Sequence, residues 1–329
     1  MAVNLTDTTQ LEPYEGMRVA ILDSPVTGPT HVGCGFAVLL ENVGNGEAPP
    51  HLIRRSATEQ LAGLMPVLHT TDVDCAGFPQ LKVGDRVAGL VGPLTYHFDQ
   101  FKIVHQDPQQ LAITTAPVPQ PPAMPVLAET HFSVATFNLE NHFDQERAGN
   151  EPVIPAAQVA SREVQLSRTI GSVLECPTIL GVQEVENARL LVSLAEQVAD
   201  ICGFVYTISH QDSPDARGMD VALLAHPGRV TVQAVVLEQG CTARETAVRD
   251  PVGACPAGQF PLHSRPPLRV KLLVDGVAYT VYVNHFKSKR EGEAETAAWR
   301  LAQAEHQNEL VQQGLAGDPQ ARIVVLGVV

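Results

Sequence analysis

Apolar positions along the 329-residue chain change their rhythm once, and a run of prolines marks the change. Up to residue 115 the apolar residues come in short β-rich runs at 17–23, 83–94 and 100–105. Gly and Pro punctuate them, as in Val26-Thr27-Gly28-Pro29 and Gly92-Pro93. Residues 41–70 are poorer in strand signal and predict loop with a short helix. The pattern predicts a small β-barrel over residues 1–115. In the following stretch, APVPQPPAMP, Pro117, Pro119, Pro121, Pro122 and Pro125 fix φ and remove amide donors, so neither helix nor central strand can form. Residues 116–130 therefore read as a semi-rigid linker.

From 131 to 329 strands alternate with helices. A short apolar strand at 132–138 precedes a helix at 155–174, where Val159, Leu166, Ile170, Val173 and Leu174 share one face. A buried strand at 178–183 follows. The next helix places Leu190, Leu194, Val198 and Ile201 on one face and stops at Gly203. Strands are predicted at 220–225 and 229–237. Those at 268–274 and 277–283 flank Asp275-Gly276, a two-residue hairpin signal. A polar helix over 293–313 and an apolar strand over 321–327 complete the order.

Composition narrows the function classes. Net charge is −14, which argues against a broad non-specific grip on nucleic acid. It leaves room for local engagement of phosphates through a bound cation. No apolar run approaches the roughly 20 residues of a membrane span, and the start, MAVNLTDTTQ, lacks the features of a signal peptide. With Met1 as the start, the expectation is a soluble, unexported protein without membrane contact. None of the six cysteines forms a CxxC pair, so no structural zinc site is expected. Cys241 and Cys255 flank a loop rich in Pro, Gly and polar residues, and read either as a disulfide or as two thiols.

Chemistry-bearing residues gather at strand ends, where a rigid scaffold can hold a site. They are Asn138 in ATFNLEN, Glu184 in LGVQEVEN, Arg217 and Asp220 in SPDARGMDVALL, and Asn284 and His285 in VYVNHFKSKR. Each alone is most simply a cap, a turn or a hydrogen-bonded polar group. The order FNLEN, VQEVEN, RGMDVALL, VNHFKSK resembles the motif string of the endonuclease/exonuclease/phosphatase superfamily. The wording, together with RPPLRV at 265–270, is most similar to large extracellular bacterial nucleases. The runs LEPYEGMRV and VGDRVAGLVGPLTYHFDQFKI resemble the OB-like modules that precede the catalytic domain in such enzymes. There Tyr96, Phe98, Phe101 and Lys102 are either single-strand contacts or core and incidental surface.

The resemblance implies an α/β fold, an OB-like barrel followed by a two-sheet sandwich of the DNase I-like type. It implies metal-dependent hydrolysis of phosphodiesters in DNA or RNA, with secretion as the family's habit. Glu184 would hold Mg²⁺ (or Mn²⁺ or Ca²⁺), since such hard cations take oxygen ligands and keep several waters. Asn138 would orient the metal shell or the nucleophile, and His285 would stabilise charge on the phosphate, with Asn284 beside it. Arg217 would clamp a phosphate. Asp220 is either an orienting group or a strand-start residue. Lys287, Lys289 and Arg290 form a basic patch for substrate phosphates or a solvated turn. Glu186, Asn187, Glu140 and Asn141 read as caps. In the family a strand such as 321–329 ends in Gly-Asp-x-Asn and a later Asp-His follows, whereas here Val328 and Val329 follow Gly327. The expectation is an incomplete sandwich with weak or lost activity. The alternatives are a phosphatase of the same superfamily or a non-catalytic nucleic-acid-binding fragment.

Overall fold

The computed structural model describes residues 3–4, 11–31, 34–40, 64–69, 78–97, 100–105, 111–117, 131–146, 153–250, 253 and 255–328. The chain forms two compact units, Met1–Gln120 and Pro121–Val329. Most of the proline run, like Phe98, lies outside the described residues.

The first unit contains β1 (Val3–Asn4), β2 (Arg18–His31), β3 (Gly35–Leu39), β4 (Leu64–His69), β5 (Arg86–His97), β6 (Gln100–His105) and β7 (Ala112–Thr114). The order β2-β3-β4-β6-β5 closes because β5 also pairs with β2, giving a five-stranded OB-like barrel. Closure leaves no open edge among those five strands. Its interior is one apolar cluster that includes Val19, Val38, Met65, Leu90 and Ile103. Part of the expected loop and helix at 41–70 is instead strand β4: Met65 and Val67 alternate into the core, a period of two. The rest of that prediction falls outside the described residues. Phe101 packs against the core, while Tyr96 is exposed with its ring centroid 4.9 Å from that of Phe101.

The second unit contains β8 (Val134–His142), α1 (Ala156–Arg168), β9 (Ile179–Val185), α2 (Ala188–Cys202), β10 (Thr207–His210), β11 (Asp220–Ala225), β12 (Val230–Leu237), β13 (Cys241–Thr242), β14 (Phe260–Pro261), β15 (Leu268–Val274), β16 (Val277–His285), α3 (Glu293–Gly317) and β17 (Ile323–Val328). Two four-stranded sheets result, ordered β10-β11-β9-β8 and β12-β15-β16-β17. Val221, Leu223 and Ile179 of the first sheet pack against Val270, Leu272, Val281 and Val283 of the second, which makes the sandwich of a DNase I-like fold. The first sheet's other face buries Leu180 and Val182 under Leu166, Ile170, Leu191 and Leu194 of the helical layer.

Local chemistry explains the boundaries. Asn187 caps α2 by accepting from the Leu190 N–H at 3.0 Å, and Gly203 stops it in the left-handed region. Asp275 and Gly276 both have positive φ, as a tight β15–β16 hairpin turn demands. The helix expected to reach Leu174 changes to a π turn at Thr169–Val173. The extra residue in that turn rotates Val173 outward, to 45% exposure, contrary to its expected place on the buried face. The turn brings Gly171 against Ile201, where any Cβ would stand 2.6 Å from a methyl group. There a Cys176–Cys202 disulfide ties α1's end to α2. No helix among the described residues is long and apolar enough to cross a membrane.

Candidate functional site

The site begins where β8 and β9, parallel neighbours, lose their register. Asn138 pairs with Gln183, and the next pair is His142 with Val185, so β8 takes four steps where β9 takes two. Leu139, fully buried, anchors the bulge. Gln183 is held by Thr136, with side-chain bonds of 3.1 and 3.3 Å. Between these fixed points Glu140, Asn141 and Glu184 adopt φ of 57°, 58° and 63°. Left-handed backbone at a non-glycine residue costs about 1–2 kcal/mol. Three such residues face each other across one strand pair, a concentration of strain typical of functional sites.

The strain aims Glu184 at a defined set of donors. Asn138 Nδ2 donates to its Oε1 at 2.9 Å, and the Asn141 N–H donates to Oε2 at 2.9 Å. Asn138 is itself oriented, its Oδ1 accepting from the Glu140 N–H at 2.7 Å. From the second sheet, at the end of β16, His285 brings Nε2 to 3.4 Å from Glu184 Oε1. Burial works against the Glu184 charge. The hydrogen bonds from His285 and Asn138, the attraction of His285 and the Asn141 N–H outweigh it and hold the carboxyl down at about 2. Burial also pushes His285 below its ordinary 6.5, against the pull of Glu184. At neutral pH the pair is therefore a carboxylate beside a neutral imidazole.

Both groups open on a cleft of about 810 Å³ that is also lined by Arg217, Arg265, Lys287 and Arg290. Arg265 is buried and donates to Asp215 Oδ2 at 2.8 Å, with Nη2 3.4 Å from the Phe286 carbonyl. Burial pushes Arg265 down and Asp215 opposes it. A buried pair of this kind is costly to break from one side. Arg217 lies on the exposed loop ahead of β11, its N–H on Asp215 Oδ1 at 3.0 Å and its guanidinium 3.1 Å from Met219 Sδ. Lys287 Nζ stands 5.5 Å from the centre of the Trp299 ring. Cys241 and Cys255 are joined as a disulfide. Ala247 and Val248, in the loop it closes, line the same cleft.

Asn138, Glu184 and His285 thus meet, and Arg217, Lys287 and Arg290 border them. Three of the residues singled out in the sequence stand elsewhere. Asn284, on the opposite face of β16 from His285, donates to the Leu326 carbonyl at 3.2 Å and does not line the cleft. Lys289 turns to Glu293 at 2.9 Å. Asp220 accepts from the Ser213 N–H and contacts His210 Nε2, both at 2.8 Å. His210, Asp212 and Asp220 are the one His/Asp trio among the described residues with potential ligand atoms within 4.8 Å of one another. Two of its members are spent on each other and Asp212 faces solvent.

Sequence reasoning missed Asp215, Arg265 and Trp299, and assigned Glu140 and Asn141 to caps. Asn141 instead serves Glu184, and Glu140 pairs with Arg162 at 3.2 Å and lines the cleft. Asn187 is a cap as expected, and Glu186 accepts from the Asp144 N–H at 2.8 Å. An arginine directly ahead of two prolines and a tryptophan on a polar helix were the available signals.

Comparison with known proteins supplies the family. Residues 133–329 match the endonuclease/exonuclease/phosphatase family, while no curated protein matches the chain. Among solved structures, TDP2 from C. elegans is 16% identical with a TM-score of 0.40, the alignment covering 60% of this chain and 48% of that one. D. rerio TDP2 complexed with a single-strand DNA product is 14% identical with a TM-score of 0.36, covering 60% and 59%. The Bacteroides thetaiotaomicron mannosyl-6-phosphatase Bt3783 is 14% identical with a TM-score of 0.35, covering 60% and 64%. The chain spans about half to two thirds of the length of these structures. The family match takes in both sheets and every strand end that builds the cleft, and the chain belongs to the endonuclease/exonuclease/phosphatase family.

Proposed function

We propose that the second unit is built for metal-dependent hydrolysis of phosphodiesters in nucleic acid. The observation that carries this reading is the Glu184–His285 pair, drawn from two sheets into one cleft bordered by Arg217, Lys287 and Arg290 on a protein of net charge −14. A cleft of opposite sign to the whole molecule concentrates anionic substrate locally. Glu184 suits a hard divalent cation such as Mg²⁺ because it is ionised, half-buried and paired with a histidine rather than a Lys or Arg. A cation bound there supplies Lewis-acid polarisation of a phosphate oxygen.

The chain's own groups divide the remaining work. Asn138 and the Asn141 N–H fix the carboxylate. His285 Nε2, whose N–H meets Glu184 while that carboxylate is free, would give the same N–H to a non-bridging phosphate oxygen when the carboxylate holds the cation. Arg217 would take a neighbouring phosphate. The disulfides Cys176–Cys202 and Cys241–Cys255 support a non-reducing setting, in keeping with an exported enzyme.

Plasmid nicking in Mg²⁺ and in EDTA, run beside phosphate release from a sugar phosphate, tests the reading. Nicking that needs the metal and outpaces phosphate release is expected. Metal-dependent phosphate release without nicking overturns it.

A further inference from the structure

Phosphate chemistry gives no use to Trp299, Ala247 and Val248, yet they line the same cleft. Trp299 is the only tryptophan in the chain and belongs to none of the three hydrophobic clusters of the described residues. An aromatic of this size is ordinarily recruited to a core. Here it is half-buried on α3, the helix that covers itself in polar residues, and it is held with care. Its Nε1–H donates to the Leu262 carbonyl at 2.8 Å. One turn along the helix, Gln303 accepts from the Lys287 N–H at 2.8 Å, which ties the ring's helix to the strand end that carries His285. A ring anchored at its edge, kept out of the cores and opening on a cationic cleft is organised to receive something flat.

We infer that Trp299 is a stacking platform for an unpaired nucleobase, so that the cleft takes single-stranded polynucleotide. The inference rests on the nuclease reading and narrows its substrate. Bases of every kind offer a π face, and stacking on an aromatic needs a base free of its partner. Lys287 follows His285 by two residues, at most about 7 Å of extended chain. His285, Lys287 and the ring therefore follow one another along one cleft, with Lys287 as the link between the phosphate end and the ring. The charge count favours a polynucleotide over a sugar monophosphate. Of the cleft's acids, Asp215 is committed to Arg265, Glu140 to Arg162 and Glu184 to the cation, while Arg217 and Arg290 stand exposed at its rim as two positions for phosphates. Lys287 over the ring adds a cation–π contact that a stacked base would extend.

A sole tryptophan in the cleft makes its fluorescence a local reporter. The full chain, in EDTA so that no strand is cut, is titrated with an octathymidylate, a GC-rich hairpin duplex that stays paired at the working concentration, glucose 6-phosphate and inorganic phosphate. The octathymidylate is expected to quench emission at a concentration at least about tenfold below the duplex, with no quenching by the two small phosphates. A 5-bromouracil oligonucleotide should crosslink to the peptide containing Trp299. That crosslink should persist in Trp299→Phe, which keeps a stacking ring, and vanish in Trp299→Ala. Equal quenching by duplex, quenching by glucose 6-phosphate, or no quenching by octathymidylate overturns the inference. Because no metal is present, quenching without nicking activity would sink the hydrolytic reading alone. Nicking without quenching would sink the stacking platform alone.

Discussion

Glu184 and Asp220 sit at the ends of two hydrogen-bonded strands, Asp220 pairing with Val185, one residue beyond Glu184. Both are acids next to buried apolar strand, and position on the strand alone gives equal reason to choose either. The structure separates them completely. Glu184, in left-handed backbone, has its carboxylate in the cleft among Asn138, Asn141 and His285, and its pKa is driven down. Asp220, 2% exposed, turns to His210 and Ser213, and burial drives its pKa up despite them. One acid is set up to stay charged and meet a ligand, while the other spends its oxygens holding the base of a loop. That loop runs from Ser213 through Asp215 to Arg217, so Asp220 shapes the cleft without entering it.

The sharpest way to break this contrast is to neutralise each acid in turn. Glu184→Gln keeps the shape and removes the charge that would hold the cation. Metal-dependent nicking should fall on the order of 10²–10³-fold, the few kcal/mol that Lewis-acid stabilisation supplies. Asp220→Asn still accepts from Ser213 and still meets His210, so nicking should stay within about tenfold and stability within about 1 kcal/mol. Initial rates and urea midpoints of the two variants, measured side by side, check both values. Equal losses of activity would erase the distinction drawn from the geometry.

Arg265→Met probes the same loop from the opposite side, with stability rather than rate as the readout. It leaves Asp215 buried without its guanidinium, a change that costs about 3–5 kcal/mol when a buried pair is broken from one side. A urea midpoint within error of the parent would show that the pair is solvated in practice. A marked loss would place Arg265 among the residues that build the cleft as well as line it.

The alternating strand and helix order of the second unit was legible because its period is strong: β9, α2, β15 and β16 stand close to where the pattern sets them. The motif order also led to Asn138, Glu184 and His285. What stayed hidden depended on three dimensions. Asn284 and His285 are adjacent letters, but a strand turns alternate residues to opposite faces, and only His285 faces the other sheet. The bulge that turns Asn141 onto Glu184 has no composition signal, since Asn after a strand reads first as a cap. Arg265 reaches Asp215 from fifty residues away along the chain. In the barrel, β4 was lost because Leu64–His69 is short and follows a stretch poor in strand formers.

The smallest expected effect is also the most specific to the Glu184–Asp220 contrast, because it carries a sign. In EDTA, with no cation at the site, Glu184 titrates at about 2 when folded against 4.5 ordinarily. A depressed acid contributes stability that is present above the ordinary value and lost as pH falls from there toward the folded one. The advantage of the parent over Glu184→Gln should therefore shrink between pH 6 and pH 4, by somewhat under about 1 kcal/mol. Asp220 is raised from 3.8, so its contribution is present at low pH and lost as pH rises through the folded value. The parent should gain on Asp220→Asn over the same fall in pH. Urea midpoints at pH 6 and pH 4 give both differences; groups not coupled to the substituted acid cancel within each pair, while His285, which Glu184 pulls upward, opposes the first difference. Opposite slopes are expected; slopes of one sign would mean that the two carboxylates share an environment and that the bulge does not aim Glu184 as described.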